Sequence, residues 1–427
     1  MSTESRALRT PLAATAVAVE PWIGLAALFL FVSIIESVGI GHLFAFLPLR
    51  LRELGVLQAD VPRLTGICCG AMFVLGLPLV PLWGVWADRH GRKPVIARSA
   101  WVQAIVFAGI ALGHTPLQLG TAMLLAGLQL GNTGVMLAAL RQVAPKDRVG
   151  LALSLVNLGT PIGTALGPAL GGKMMDAYGL TLSQLFFIDA ALALLAGIVL
   201  TVAYHEKHTL VPAEGNAYKQ ALASIKQISR EPVARMLLFL LSLFLVGRNM
   251  VNPFIALLVE RLHEGPAGLA SAVGMVVGTA SLVGALVSPA AAAAGDRFGH
   301  RRVLAVALAM GGAALAGMAF APSVASLAVA TALFSSAFAT VVALVYALLA
   351  LDVPDRMRSV ALNLAFVPFY VGALLGPNLA AVAMSRALDP WLDPLGIHRL
   401  ARVFPLAILL VGAALFFSRR LPRRDGA

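Results

Sequence analysis

Apolar residues run through this chain in long blocks, broken by short clusters of charge, Pro and Gly. Neither the two-residue alternation of a half-buried strand nor the narrow stripe of a surface helix describes them. Each block is close to the roughly 20 residues needed to cross about 30 Å of hydrocarbon. The first six predicted spans are Trp22 to Leu49, Leu64 to Trp86, Pro94 to Gly113, Leu117 to Val143, Val149 to Met175 and Thr181 to Tyr204. The second six are Arg235 to Leu258, Leu269 to Ala294, Val303 to Phe320, Val324 to Leu351, Arg358 to Met384 and Ala401 to Phe417. All are expected to be helices, because in lipid each backbone polar group must bond within its own segment. The expected class is an all-α integral membrane protein with 12 transmembrane helices.

The longest polar stretch, His205 to Val233, divides these spans six and six. It reads as a cytoplasmic linker, residues 205–233, between a bundle at 1–204 and another at 234–427. Part of it, Ala217 to Ser229, also fits an amphipathic helix lying on the membrane surface. The two halves repeat one another. Asp88-Arg89-His90-Gly91 is echoed by Asp296-Arg297-Phe298-Gly299 at an offset of 208 residues. Leu51 to Leu54 is answered by Val259 to Leu262 at that offset, and Gly167-Pro168 by Gly376-Pro377 at 209. With six spans per half the repeat is parallel, its axis along the membrane normal, as in two bundles rocking around a central site.

Composition agrees: 59% of the residues are hydrophobic and 12% charged, with a mean hydropathy of +0.88. A soluble domain of ordinary composition is nearer half apolar and a quarter charged. The net charge of +12 would suggest nucleic acid in a soluble protein. Here most Lys and Arg residues fall in alternate loops, a topogenic pattern and not a binding stripe. The other loops hold only Arg50, Arg52, Arg63, Lys173, Arg261, Arg386, Arg399 and Arg402, so both termini are expected on the cytoplasmic side of a bacterial inner membrane. Arg98 is counted there with the loop that precedes the third span. Met1 to Glu20 is short and mixed, and the apolar run after it is too long for a signal-peptide core. Cys68 and Cys69 are adjacent within an apolar stretch and can build neither a disulfide framework nor a metal site. No cofactor is expected. The expected partners are a small-molecule substrate, protons and membrane lipid, with no nucleic acid, and the chain is expected to be a monomer.

Charge inside an apolar block changes the picture more than the totals do. Glu36 lies about 20 Å into the first span at 1.5 Å per residue. Arg248 lies about as deep in the seventh. Each costs roughly 3 kcal/mol or more if it faces lipid at the bilayer centre. Both are therefore expected to face a central cavity, as coupling residues for proton and substrate or as a permanent structural pair. Asp189, nearer the outer end of the sixth span, is a third coupling candidate. His42, Asn132, Asn157, Asn249, Asn252, Asn363 and Tyr370 are candidates for lining the cavity, each with a plain packing role as its alternative. Trp101 and Phe44, like Tyr370, offer stacking surfaces or simply pack.

The loop after the second span reads Gly84-Val-Trp-Ala-Asp88-Arg89-His-Gly91-Arg92-Lys93. It fills each fixed position of G-x-x-x-D-R-x-G-R-K, the signature between spans two and three of the major facilitator superfamily, and the chain resembles that family. The second copy keeps Asp296, Arg297, Gly299 and Arg301 but has Ala292 and His300 at two signature positions. The resemblance implies that Asp88 helps latch the outward-facing state, while Arg89, Arg92 and Lys93 also suit inside-positive anchors. The fifth span carries Gly163, Gly167, Pro168, Gly171 and Gly172, similar to the G-x-x-x-G-P-x-x-G-G motif of the drug:proton antiporter branch. In the fourth span Gln129 matches that branch, but Ala126 and Leu130 stand where it has arginine and glycine. The resemblance implies a secondary transporter, not an enzyme, exporting hydrophobic or cationic small molecules in exchange for protons. Uptake symport, export of a metabolite, sugar or siderophore, and a non-transporting receptor on the same fold remain open. No G-x-x-x-x-G-K-[ST] loop occurs for ATP.

Overall fold

A computed structural model of the chain describes residues 21–206, 226–228, 230–392 and 399–421. Twelve helical segments are long and apolar enough to cross a membrane, and each predicted span falls on one of them. Spans 1 to 6 are Pro21–Glu53, Val61–His90, Arg92–Leu112, Pro116–Val143, Val149–Tyr178 and Leu182–Ala203. Spans 7 to 12 are Pro232–Leu262, Leu269–Phe298, His300–Ala319, Val324–Asp352, Val360–Ala383 and Arg399–Arg419. No strand occurs among the described residues. Most of the segment expected as an amphipathic helix, residues 217–229, lies outside the described residues, as do residues 1–20.

Local chemistry sets the boundaries. Thr115 and Gln118 form a capping box before span 4, Thr181 and Gln184 one before span 6, and Ser323 and Ser326 one before span 10. Gly91 and Gly299, at φ of +99° and +93°, make the tight turns that end spans 2 and 8. Span 4 is interrupted: a 3-10 turn at Gly127–Gln129 and a left-handed Gly131 separate Pro116–Ala126 from Asn132–Val143. Span 7 has a matching interruption at Asn252–Phe254, where Pro253 withholds a backbone donor.

The end of the molecule carrying Pro21, His90 and Arg419 is the near face; the opposite end is the far face. At the far face the two bundles are sealed together by backbone against glycine. A methyl group on Gly274 of span 8 would fall on the Pro168 carbonyl of span 5, and one on Gly66 of span 2 on the Pro377 carbonyl of span 11. These contacts are related by the internal repeat, as are the residues that make them. Within each bundle the repeat holds again: Gly167 sits on the Val38 carbonyl of span 1, and Gly376 on the Val246 carbonyl of span 7. Small residues thus let helices approach to backbone contact, the packing available where lipid provides no hydrophobic drive between helices. Polar ties reinforce the far face. Arg386 bonds Asp60 at 2.8 Å, the Ser271 amide donates to Asp176 at 2.6 Å, and Arg52 pairs with Glu260. In the loop beyond span 11, Arg399 and Arg402 grip Asp389 and hold its carboxyl below the ordinary carboxylate range.

At the near face the first signature copy is open. Gly84 has no neighbour within 4 Å of a methyl group placed on it, and Asp88, Arg89 and His90 are exposed. Past the turn, the Glu206 carboxylate accepts from the backbone amides of Arg92 at 2.8 Å and Lys93 at 3.2 Å, capping span 3 with negative charge. The Arg92 side chain donates to the Ala138 carbonyl. In the second copy Arg301 bonds Asp352 at 2.7 Å and the Leu421 carbonyl, Asp296 lies 3.3 Å from His300, and Arg297 lies over Phe298. Gly91→Ala should cost about 1–3 kcal/mol through its positive-φ backbone alone. A methyl there also meets the Glu206 carboxylate at 2.8 Å, so a lowered unfolding midpoint in detergent is expected, partly relieved by Glu206→Ala.

Candidate functional site

A cavity of about 280 Å³ opens between spans 1, 2, 4 and 5. Its polar lining is Ser33, Glu36, Ser37, Gln129, Asn132, Thr133, Thr160 and Thr164, and its apolar lining includes Phe44, Met72 and Phe73. Glu36 is half-buried, with its carboxylate held from two other spans. Asn132 Nδ2 lies 2.8 Å from both carboxylate oxygens, and Ser99 Oγ lies 2.7 Å from Oε1. Asn132 stands at the first position of the helix that restarts after the Gly131 break. The interruption of span 4 therefore sets the side-chain amide of the first residue of the new helix against the carboxylate. Gln103 Nε2 donates to the Glu36 backbone carbonyl at 3.0 Å.

The Ser99 hydroxyl has a second acceptor, the Ile96 carbonyl at 2.7 Å. One hydroxyl proton faces two acceptors, so the network can be completed in two ways. With Glu36 ionised, Ser99 donates to it. With Glu36 protonated, the acid donates to Ser99 Oγ and the hydroxyl turns to Ile96. Both protonation states are fully bonded, which is what a proton carrier needs.

Arg98 corrects the loop count. It lies within span 3, not ahead of it, where its guanidinium stacks on Trp83 at 3.4 Å and donates to the Leu130 carbonyl at 3.0 Å. That carbonyl is freed by the break in span 4. A cation from span 3 thus reaches the part of span 4 where the antiporter branch carries its own arginine and this chain has Ala126. The signal is present in the sequence, since Arg98 falls inside the predicted third span, but its closeness to Arg92 and Lys93 groups it with them.

Glu36 and Arg248 do not pair. Among the described residues no ion pair joins them, and the Arg248 guanidinium instead lies 4.2 Å from the ring centroid of Phe338 on span 10. Asp189 is not peripheral. It is buried, and both its oxygens contact His42 Nδ1, at 2.8 and 2.9 Å, while His42 Nε2 lies 2.6 Å from the Gly167 carbonyl. His42 is buried with it and does not line the cavity.

The remaining candidates scatter. Asn249 turns its amide to the Leu245 carbonyl of its own helix, and Asn157 is exposed. Asn252 stands at the break in span 7, and the side chain of Asn363 lies outside the described residues. Tyr370 packs near the cavity residue Phe73, with centroids 6.4 Å apart across the two bundles. Trp101 faces away, bonding Thr201 and covering Gly197. The span 5 glycines form a ladder on span 1: methyl groups on Gly159, Gly163 and Gly171 would meet Ser33, the Ile34 carbonyl and His42, each at 2.5 Å. Gly172 meets span 8 instead, at the Ala270 carbonyl.

The sequence profile of the Major Facilitator Superfamily matches residues 22–377 and, in an overlapping second match, 237–426. A multi-drug resistance efflux pump PmrA homolog of Lactococcus lactis is 27% identical over 283 residues, covering 65% of this chain and 69% of its own. Multidrug resistance protein MdtG of Proteus mirabilis is 28% identical over 277 residues, covering 65% and 68%. Among solved structures, a point mutant of the nucleoside transporter NupG superposes with a TM-score of 0.76 at 15% identity, covering 93% of this chain and 100% of that one. A bacterial homolog of the human lysosomal transporter Spinster, inward-facing and occupied, gives 0.75 at 14% identity, covering 95% and 98%. At these identities the structural likeness speaks for the fold alone.

Proposed function

The chain belongs to the Major Facilitator Superfamily, and from that premise we propose that it is a proton-coupled exporter of hydrophobic or cationic small molecules. It is a membrane transporter with small-molecule substrates, and not an enzyme. The observation that carries the coupling is the Glu36 network, a cavity carboxyl satisfied both with and without its proton. A carboxylate that is the one charged group among the described lining residues suits a cation, and the flanking Phe44, Met72 and Phe73 suit an apolar body. Proton and cation then compete for one acid. Two relatives named for multidrug resistance support export as the direction.

In this reading the near face is cytoplasmic, and the structure is the inward-facing arrangement of a bacterial inner-membrane protein with both termini inside. The open signature at Gly84 and Asp88 fits that state, since the latch it forms belongs to the opposite one. Bundles 1–204 and 234–427 rock about the cavity, joined by the cytoplasmic linker 205–233, and a single chain suffices.

The test is transport by purified protein in liposomes, with a fluorescent lipophilic cation as the probe. An imposed pH gradient should drive the cation toward the acidic compartment, and reversing the gradient should reverse the flux. Flux indifferent to the gradient would end the coupled reading. Ser99→Ala, which removes the proton's alternative partner, should slow coupled flux about tenfold, in line with roughly 1.4 kcal/mol for one hydrogen bond to a charged group.

A further inference from the structure

We infer that His42 and Asp189 form a second proton-binding site, whose loaded form holds span 5 in the position that seals the far face. The inference rests on the reading of the chain as proton-coupled, but on residues outside the Glu36 cavity.

The proton count follows from geometry. His42 Nε2 lies 2.6 Å from the Gly167 carbonyl, which can only accept, so Nε2 carries a hydrogen. His42 Nδ1 lies 2.8 and 2.9 Å from the two oxygens of Asp189. A bond there needs one more hydrogen, either on Nδ1 as an imidazolium facing a carboxylate or on Asp189 as an acid facing a neutral ring. Either way the pair holds one proton beyond its unloaded form and is neutral overall. Remove that proton, and the neutral ring has one hydrogen for two acceptors, so a bare lone pair faces either the Asp189 carboxylate or the Gly167 carbonyl at hydrogen-bond distance, in a site that is 4% and 2% exposed. Whichever contact lacks the hydrogen is repulsive and unhydrated and must open, so the ring no longer ties all three helices.

Among the described residues no other charge is placed to compensate. On span 1, Glu36 is held by Ser99 and Asn132, and Arg50 is bonded to Glu53 and to the Ala111 and Gly113 carbonyls. On span 5, Lys173 and Asp176 lie toward the far end, Asp176 bonded to Ser271. Span 6 has no ionisable side chain besides Asp189, and on span 3 Arg98 is turned to Trp83 and Leu130.

The coupling is mechanical. His42 bridges spans 1, 5 and 6 through one ring: its own helix, the Gly167 carbonyl and Asp189. It also fills the space left by the missing side chain of Gly171. The next carbonyl along span 5, that of Pro168, is the one Gly274 of the other bundle rests on, and a methyl group on Gly278 would meet the Ala165 carbonyl at 2.6 Å. A proton arriving from the far side therefore joins three helices and presents span 5 to span 8; its departure releases them. Met250 occupies the repeat position of His42, so this device belongs to one bundle only.

The experiment measures far-face opening by spin-label distances between Gln58→Cys and Glu264→Cys, on a background with Cys68 and Cys69 changed to Ala, at a series of pH values and without substrate. Wild type and Glu36→Gln should both widen as pH rises. Asp189→Asn keeps the shape and offers Nδ1 an N–H donor at every pH, so it should stay closed across the series. His42→Gln, which retains a donor for Gly167 and removes the second ring nitrogen facing Asp189, should likewise lose the pH response. A wild-type distance that ignores pH overturns the inference, as does Asp189→Asn responding like wild type. If Glu36→Gln alone abolishes the widening, the site is Glu36 and the inference falls. Failure of the export reading would show separately, in the liposome flux, because the distance measurement needs no substrate or gradient.

Discussion

Glu36→Gln is expected to reduce proton-driven flux at least about 100-fold, the equivalent of roughly 2.7 kcal/mol, while the protein folds and inserts normally. The amide is close in size and shape to the acid. Its oxygen can accept from Asn132 Nδ2 and its nitrogen can donate to Ser99 Oγ, so the network that holds Glu36 is kept. Stability should change by no more than about 1 kcal/mol, because no buried polar atom loses its partner. What disappears is the one acid among the described residues of the cavity lining. Gradient-driven accumulation should therefore vanish, while gradient-free exchange of probe for probe persists at reduced affinity. Full coupled flux through this variant would remove Glu36 from the mechanism.

The second large effect is steric. Gly274→Leu places a side chain on the Pro168 carbonyl, a contact present only while the far face is closed. Overpacking of this kind costs about 1–3 kcal/mol, and here the cost falls on one state of the transporter. A difference of that size moves a two-state balance about 5- to 150-fold. Gly274→Leu should therefore favour the far-face-open arrangement, seen as a wider distance between spin labels on the two bundles and as flux lowered by the same order. Gly66→Leu should do the same, since the repeat gives it the matching position against Pro377. Wild-type distances in both variants would show that these glycines do not form the seal.

Much of the fold is legible in the sequence because lipid leaves few options. Twelve apolar blocks require twelve helices, and an offset of 208 residues between matching motifs orders them as a parallel repeat. The repeat proves to reach further than the motifs that reveal it: Gly66 and Gly274, which no motif marks, make equivalent contacts. The site is legible only where a charge interrupts an apolar block. Glu36, Arg248 and Asp189 stand out for that reason. Their partners do not, because pairing depends on which faces of distant helices meet. His42 and Asp189 are separated by 147 residues, and nothing in either local sequence points to the other. Glu36 and Arg248, whose similar depths suggest a pair, sit on helices whose facing sides are set by glycine packing and not by charge. Ser99 gives no signal, because a serine in an apolar helix ordinarily bonds its own backbone, and this one does that as well.

Under the proposed transport function, the break in span 4 has an outcome for how cargo is recognised. A continuous helix hides its peptide groups from whatever passes through the protein. By stopping at Gln129 and restarting at Asn132, this one leaves main-chain amides of a fresh first turn beside the vestibule, with no helical acceptor of their own. Molecules held there meet a scaffold dipole that is the same whichever residues surround it. Scanning the vestibule with alanine will leave that share of the affinity untouched, and only changes that mend the helix, such as replacing left-handed Gly131, can reach it.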